Sequence, residues 1–339
     1  MNTFIGTVVP GFETIAKKEV KKKIIDATNI SISRGKVLFS SNAKINDLMV
    51  LDCVDNIYYF ISVFYIGPHK KDLEQFNENI KRLDFSGARH FMGLTKQSKI
   101  LVSASKKGKH TYSRFDVAAY ATKTLLTNKK MVEGTVDNHN FPIRIDVCEN
   151  ECMVSVQLTP ASFKFRGDKY EFMPGGIRPT IASGLILLSD PQPEDVFYDP
   201  FCGSGTIPRE RARSQAKCIY ASDYDSVAVE NAINNVPSSV KVFCCDATKM
   251  KMSDNSVDVV VSNIPYGKQV VVKDIYKLYY GFLKESKRIL SKNGRMILLT
   301  NREEIVQAAN QTGFLISKLY TISLHGSLVY VFSLKPCAS

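Results

Sequence analysis

Near residue 263, four consecutive residues have the groups needed to direct chemistry at an exocyclic amine. These residues, Asn263-Ile264-Pro265-Tyr266, follow the apolar run 256–262, which predicts a strand. The side-chain carbonyl of Asn263 and the next backbone carbonyl can both accept hydrogen bonds from an amine, which aims its nitrogen and stabilises developing charge. Tyr266 offers a ring on which a flipped base can stack, and Pro265 fixes the turn. The alternative is a turn that only ends a strand.

A glycine-rich turn upstream provides a second candidate site. The predicted strand Val196–Tyr198 leads into Asp199-Pro200-Phe201-Cys202-Gly203-Ser204-Gly205-Thr206, where the two glycines permit a tight turn and close approach of a ligand to the backbone. A dinucleotide site requires a third glycine where Pro208 stands, and Asp199 would repel a pyrophosphate. A cationic ligand suits Asp199 better. S-adenosylmethionine, which carries a sulfonium and an α-ammonium, therefore fits better than a nicotinamide dinucleotide.

Two further acidic residues follow predicted strands. The strand Lys217–Ala221 is followed by Asp223, at the distance from the glycine turn where a carboxylate grips a ribose diol. The strand Val240–Cys245 is followed by Asp246, which is expected to accept a hydrogen bond from an adenine amine. Either residue alone could be an ordinary helix cap. Acidic or amide residues at four successive strand ends instead favour a ligand crevice.

The elements that must position these side chains form two halves. From about residue 195, strands and helices alternate, which predicts a parallel α/β sheet. In the first half, predicted strands at 4–9, 35–39 and 57–65 alternate with a short helix near 43–53 and a longer helix over 12–25, a pattern typical of a small ferredoxin-like module. A Lys-rich face of that helix is interpreted as solvated. Further along, the pattern predicts a helix at 73–83, a strand at 99–104, a helix at 113–126 and a hairpin over 141–158.

The charge balance indicates a polyanionic partner. In 339 residues, 45 Lys and Arg against 33 Asp and Glu give a net charge of +12, and a basic loop spans 105–110. No apolar run approaches the roughly 20 residues that span a bilayer, which disfavours a membrane protein. The content of 44% hydrophobic and 23% charged residues excludes collagen-like and disordered classes.

The cysteines and the N-terminus bear on metal and location. None of the eight cysteines has zinc-ligand spacing, so we expect no metal and interpret them as reduced core thiols. The segment Met1–Phe4 lacks the basic stretch and apolar core of a secretory signal. We therefore expect a cytoplasmic protein, and a monomer.

The motifs together resemble a known enzyme family. The run 199–206 with Asn263-Ile264-Pro265-Tyr266 resembles class I S-adenosylmethionine-dependent amine methyltransferases, whose motif reads Asn or Asp-Pro-Pro-Tyr. Ile264 stands where Pro or Leu is commoner. The segments 8–13, 163–170 and 177–182 extend the resemblance over almost the whole chain, to the THUMP-type tRNA (guanine-N2-)-methyltransferases that modify position 6 of the acceptor stem.

The resemblance implies a fold and a domain order. The C-terminal half is expected to be a Rossmann-like class I methyltransferase sheet, and the N-terminal half an α+β RNA-binding unit. The implied domains are a ferredoxin-like module at 1–65, a THUMP domain at 66–160, a linker at 161–180 and the methyltransferase domain at 181–339. The THUMP domain is implied to hold the 3′ CCA end of tRNA.

The resemblance also implies site residues. The catalytic set is Asn263, Pro265 and Tyr266. The set expected to bind S-adenosylmethionine is Thr180, Asp199, Pro200, Cys202, Gly203, Ser204, Gly205, Thr206, Asp223, Asp246, Ala247 and Asn263. The set expected to bind RNA is Lys106, Lys107, Lys109, Arg114, Lys164 and Arg166. In the segment 163–170, Asp168 interrupts the basic residues.

Several functions remain open on sequence alone. The expected reaction is N2-methylation of guanine 6 in tRNA. The amine chemistry is shared with methylation of guanine 10 or of ribosomal RNA, so the motif does not separate these targets. A non-catalytic RNA-binding protein is a further alternative, opposed by the intact acidic and amide set. A nicotinamide-dependent dehydrogenase is opposed by Pro208.

Overall fold

The computed structural model describes residues 1–95, 97–129, 131–166, 175–266, 274–324 and 326–337. Residues 167–170 of the segment compared above, including Asp168, lie outside the described residues. No helix within the described ranges is long and apolar enough to cross a membrane.

The N-terminal half is built on one eight-stranded sheet with the order β2-β3-β1-β4-β8-β7-β5-β6. Its strands are β1 (Asn2–Thr7), β2 (Thr28–Ser33), β3 (Lys36–Ser41), β4 (Asn56–Tyr65), β5 (Lys99–Lys107), β6 (Val132–Glu133), β7 (Phe141–Cys148) and β8 (Glu151–Gln157). Its helices are α1 (Glu13–Lys23), α2 (Ile45–Leu48), α3 (Leu73–Arg82), α4 (Ser86–Phe91) and α5 (Arg114–Lys129).

The C-terminal half is a seven-stranded sheet with the order β11-β10-β9-β12-β13-β15-β14. Its strands are β9 (Val196–Asp199), β10 (Cys218–Asp223), β11 (Val240–Cys244), β12 (Val257–Asn263), β13 (Leu290–Thr300), β14 (Phe314–Leu324) and β15 (Ser327–Pro336). Its helices are α6 (Pro179–Leu188), α7 (Thr206–Arg211), α8 (Ser226–Asn235), α9 (Ile275–Ile289) and α10 (Glu304–Thr312).

The topology of this second sheet determines where a ligand can bind. The strands β11, β10, β9, β12 and β13 run parallel, and β15 and β14 are antiparallel additions. The first strand, β9, lies between β10 and β12, so the connections leave it in opposite directions. The carboxyl ends of strands at such a switch point open into the crevice where α/β proteins bind ligands. The expected parallel α/β sheet is thus confirmed.

The N-terminal pattern was predicted less completely. The hairpin of β7 and β8 around Glu149 and Asn150 was predicted correctly. The strands β2 and β6 were missed. The module expected at 1–65 and the domain expected at 66–160 share one sheet, because β4 pairs with β8. The strand β5 is longer than predicted and continues through Lys107, so only the end of the expected loop 105–110 is loop.

The two halves share one apolar core. Phe12, at the start of α1, is 1% exposed and belongs to the same buried cluster as Phe197 of β9 and Ile297 of β13. Its ring lies so close to Gly184 of α6 that a Cβ added there would approach Phe12 to 2.3 Å. This contact requires glycine at position 184 and packs the start of α1 in the N-terminal half against α6 in the C-terminal half.

The cysteines are only partly core residues. Cys53, Cys152, Cys202 and Cys245 are buried, as expected. The interpretation is wrong for Cys148 and Cys244, which are exposed. Cys148 ends β7 and Cys244 ends β11, where the alternation of the strand turns the side chain to solvent.

Candidate active site

A cavity of about 640 Å³ opens at the carboxyl ends of the parallel strands. Twelve residues from the sequence-derived sets line it: Asp199, Pro200, Cys202, Gly203, Ser204, Thr206, Asp223, Asp246, Ala247, Asn263, Pro265 and Tyr266. Residues 175–177 also line it. We call this cavity the main cleft.

The glycine turn between β9 and α7 forms the floor of the main cleft. Gly203 has a φ of +50°, and a Cβ added there would meet nothing within 4 Å, so a ligand can approach the backbone. The Gly203 amide donates to Asp223 Oδ2 at 2.9 Å, which ties the turn to the end of β10. Gly205, with a φ of +84°, does not line the cleft. A Cβ there would press on Val236 at 2.8 Å, so its role is close packing against α8.

Asp199 is a buried acidic residue of the cleft, at the end of β9. Its Oδ1 accepts hydrogen bonds from the Ser262 hydroxyl at 2.7 Å and from the Phe201 amide at 3.2 Å. Its Oδ2 is buried with no hydrogen-bond partner among the described residues. Burial raises the pKa of Asp199 to about 7. A buried acidic oxygen without a partner is a strong acceptor for a cationic or hydrogen-bond-donating ligand.

The carboxylates of Asp223 and Asp246 are held by their own loops. Asp223 accepts from the amides of Gly203 and Asp225, at 2.9 and 3.1 Å, while burial raises its pKa. Asp246 accepts from the amide and the hydroxyl of Thr248 through Oδ1, both at 2.8 Å. No described residue donates to the second oxygen of Asp246, so it can accept a donor from a ligand in the cleft.

Asn263 ends β12 with one half of its amide anchored. Its Nδ2 donates to the Gly175 carbonyl at 3.1 Å, whereas its Oδ1 is buried and unpartnered among the described residues. The next residue, Ile264, is fully buried and donates its amide to the Leu299 carbonyl at 3.1 Å. The Nδ2 hydrogen bond to Gly175 thus fixes the orientation of the Asn263 amide. Its oxygen is left to accept a hydrogen bond from a ligand.

Two residues that sequence reasoning missed hold the rest of this loop. The Tyr279 hydroxyl of α9 donates to the Pro265 carbonyl at 2.6 Å and lies 3.0 Å from the Thr300 hydroxyl. Arg302 donates through Nε to the Tyr266 carbonyl at 3.0 Å. Burial raises the pKa of Tyr266, and the neighbouring Asn263 side chain partly offsets that rise. The sequence offered a signal for Arg302, because the polar pair 301–302 directly follows the end of the largely apolar strand β13.

Two sequence predictions are wrong because long-range partners occupy the side chains. Thr180 was expected to bind the cofactor, but it is 1% exposed in α6 and donates to Asp55 Oδ1 at 2.8 Å. Arg166 was expected to bind RNA, but its side chain is 9% exposed and pairs with Glu210 at 3.1 Å. Neither side chain is available to a ligand.

The other residues of the RNA-binding prediction lie on the N-terminal half or just after it. Lys107, Lys109 and Arg114 are exposed, and Lys106 is half-buried in β5. The half-buried Lys164 places its ammonium 5.0 Å from the Phe165 ring centre. Arg114 lies 4.8 Å over the ring of Phe115, which is 70% exposed.

Hydrogen bonds connect the surface that follows β5 to residues 67–70. Tyr112 is 2% exposed and donates its hydroxyl to the Gly67 carbonyl at 2.9 Å. The Lys70 amide donates to the Thr111 hydroxyl at 2.8 Å, which brings the exposed Lys70 and Lys71 beside the basic loop. We call Lys70, Lys71, Lys107, Lys109 and Arg114 the basic rim.

Comparisons with known proteins agree with this architecture. Residues 166–330 match the UPF0020 family model, described as an RMKL-like methyltransferase domain. The tRNA (guanine(6)-N2)-methyltransferase of Thermus thermophilus is 30% identical over 241 residues, covering 69% of this chain and 71% of the relative. The enzyme of the same name from Methanocaldococcus jannaschii is 23% identical over 97% of this chain and 98% of its own length. The crystal structure of TrmN from Thermus thermophilus superposes with a TM-score of 0.82 at 22% identity, over 99% of this chain and 100% of that one.

The fold and the cleft define a class I S-adenosylmethionine-dependent methyltransferase joined to an N-terminal α+β half. The chemistry of the cleft fits that cofactor, because the buried Asp199 oxygen without a described partner suits a cationic group and the Asp223 and Asp246 carboxylates can accept hydrogen bonds from hydroxyl or amine donors. The chain belongs to the family of the tRNA (guanine(6)-N2)-methyltransferases.

Proposed function

We propose that this enzyme forms N2-methylguanosine in tRNA, at guanine 6 of the acceptor stem. The observation that carries the proposal is the Asn263 amide, whose Nδ2 is anchored to Gly175 while its Oδ1 has no partner among the described residues. An oriented, buried acceptor beside a cofactor cleft is what an exocyclic amine requires. The names of the relatives support tRNA and guanine 6 as the substrate.

In this proposal the cleft aims an amine at an electrophilic methyl group. S-adenosylmethionine supplies a methyl group on a cationic sulfur. Asn263 Oδ1 and the Ile264 carbonyl accept the two hydrogens of guanine N2, and Tyr266 supports the base by stacking. As N2 gains the methyl group that the bound cofactor would supply, positive charge would develop on that nitrogen. The two oxygens stabilise that charge, and the surplus proton then leaves to solvent.

Nucleoside analysis tests the target directly. The purified protein is incubated with S-adenosylmethionine and a transcribed tRNA, and the digested RNA is analysed by mass spectrometry. We expect N2-methylguanosine in the fragment that contains guanine 6, and none when that guanine is replaced by adenine. Methylation at guanine 10, or of ribosomal RNA alone, would refute the target. Absence of methylation with cofactor bound would favour the non-catalytic alternative.

Cofactor affinity should depend on pH through Asp199. Its raised pKa of about 7 means that a cation must displace a proton from Asp199 at lower pH. The association constant should therefore rise between about pH 5 and 7, approaching tenfold per pH unit, and flatten above. The same raised pKa affects folding in the opposite direction. In the unliganded protein, the free energy of unfolding should fall as the pH rises from the pKa of Asp199 in the unfolded chain towards 7. Asp223, whose pKa is also raised, acts in the same direction.

Calorimetric titration of S-adenosylmethionine across this pH range measures the effect. Asp199→Asn cannot ionise, so its titration should be much flatter and its affinity above pH 7 lower. An equal pH slope in Asp199→Asn and in the unmodified protein would contradict the role given to Asp199.

The basic rim is proposed to bind the tRNA backbone. Phosphate contacts release counterions, so they make affinity fall steeply with salt while carrying no base readout. Replacing Lys107 and Lys109 by alanine should reduce the slope of log affinity against log salt by roughly one unit for each lysine. Binding curves at several salt concentrations measure this slope.

A matched control is available on α1. Lys21 and Lys22 are also exposed, and they lie on the helix face interpreted as solvated. The variant with both replaced by alanine carries the same charge change and should keep the original slope. An equal reduction of the salt slope in the two double variants would show that net charge, rather than the basic rim, governs binding.

The domain assignment completes the proposal. Residues 1–65 are assigned to a ferredoxin-like module and 66–160 to a THUMP domain that holds the 3′ end of tRNA. Residues 161–180 are assigned to the connection and 181–339 to the methyltransferase domain. The enzyme is proposed to act as a cytoplasmic monomer that needs no metal.

A further inference from the structure

A second cavity adjoins the main cleft where the two share lining residues. It measures about 250 Å³, and it shares residues 175–177 and Tyr266 with the main cleft. Its other walls include Ile181, Leu324, Val329 and Asn301. It is therefore smaller than the clefts of roughly 300–1,000 Å³ that hold drug-sized ligands, as suits a single flat nucleobase.

Asn301 is the unexplained polar group of this second cavity. Its Oδ1 is buried with no hydrogen-bond partner among the described residues. A buried carbonyl oxygen of this kind calls for a donor from a ligand or an ordered water. Neither these aliphatic neighbours, Ile181, Leu324 and Val329, nor the polar lining residues Arg178 and Ser327 donate to it among the described residues, so the oxygen can accept a donor from a ligand that fills the cavity.

The strand register puts Asn301 beside the proposed acceptor site. Asn263 at the end of β12 is paired with Leu299 in the parallel strand β13, and Asn301 follows two residues later. The following residue, Arg302, donates to the Tyr266 carbonyl at 3.0 Å. The loop that carries Asn301 is thus bonded directly to the loop that carries Asn263 and Tyr266.

This juxtaposition matches the edge of one particular base. On guanine the N2 amine adjoins N1–H, so the base presents two neighbouring donor groups on one edge. Adenine presents an unprotonated N1, an acceptor that would face an acceptor oxygen. Resting on the function proposed above, we infer that the second cavity receives the flipped guanine and that Asn301 Oδ1 accepts its N1–H while Asn263 holds N2. Asn301 is then a specificity-determining residue.

The test compares two bases that both carry the reactive amine. A tRNA with 2-aminopurine at the target position keeps the N2 amine, but its N1 has no hydrogen. Single-turnover methylation gives the ratio of kcat/KM for guanine over that for 2-aminopurine. In Asn301→Ala, kcat/KM for guanine should fall by about 10- to 100-fold. The value for 2-aminopurine should change little, so the ratio collapses.

Two measurements distinguish base recognition by Asn301 from a purely structural role. Asn310, exposed on α10, provides the matched control Asn310→Ala, which should keep the original ratio. Cofactor affinity of Asn301→Ala should be unchanged by calorimetry. A proportional fall of kcat/KM for both bases, which leaves the ratio unchanged, would overturn the inference and indicate a structural role. Unchanged kcat/KM values for both bases would overturn it as well. Failure of the unmodified enzyme to methylate guanine would instead refute the proposed function.

Discussion

Asn263→Ala is expected to lose methyl transfer by on the order of 10²–10³ in rate, the typical effect of removing one positioned group that stabilises transition-state charge. The Asn263 Oδ1 atom has no partner to lose among the described residues, where the substitution gives up the Nδ2 hydrogen bond to Gly175 and the side-chain interaction with Tyr266. Affinities for cofactor and tRNA should therefore change little. The measurement is single-turnover methylation with labelled cofactor, alongside separate binding titrations.

The conservative variant distinguishes acceptance of the amine from loop structure. Asn263→Asp keeps side-chain oxygens that can accept hydrogen bonds, but it loses the Nδ2 donor to Gly175. It should recover part of the rate that Asn263→Ala loses. A near-normal rate in Asn263→Ala would remove the basis for an amine target, whereas parallel loss of cofactor affinity would show that the residue acts by shaping the cleft.

The second large effect is expected on stability, at Glu210. Its side chain is 2% exposed, and it accepts from Arg166 at 3.1 Å and from the Ser183 hydroxyl at 2.6 Å. Glu210→Ala leaves the largely buried Arg166 guanidinium without its main carboxylate. Breaking a buried pair in this way costs roughly 3–5 kcal/mol. Denaturant unfolding of the full chain measures the loss.

Arg213 provides the matched comparison within the same cluster. It contacts Asp52 at 2.9 Å, yet its side chain is 46% exposed. Arg213→Ala should therefore cost only about 0–1 kcal/mol, the range for exposed pairs. Similar losses in the two variants would show that burial does not govern this cluster.

Much of the cleft was predictable because its chemistry follows local pattern. Asp199, Asp223, Asp246 and Asn263 each interrupt or follow an apolar run, and parallel strands bring their carboxyl ends to one edge of a sheet. The sequence therefore indicates which residues meet, even though they are separated along the chain. The same reasoning predicted the C-terminal sheet as parallel α/β, but it did not include the antiparallel strands β14 and β15.

The failures share a different cause. Thr180 is occupied by Asp55, 125 residues away, and Arg166 is occupied by Glu210, 44 residues away. No local period reveals which side chains will meet across a domain boundary. Tyr279 and Arg302 were missed for the same reason, since each donates a hydrogen bond to the loop 263–266 from another element. Which side chains meet across such sequence separations is determined by tertiary packing.

The contact of Phe12 with Gly184 limits how this enzyme can be recombined. Because α1 and α6 meet through one ring seated on a glycine, an N-terminal half transplanted from a relative must bring an aromatic residue to that seat. In a chimera of unmatched halves, this position would contain a cavity or a steric clash, and either one lowers the stability of the folded protein. Exchange of the N-terminal half to change the substrate therefore requires this contact to be redesigned first.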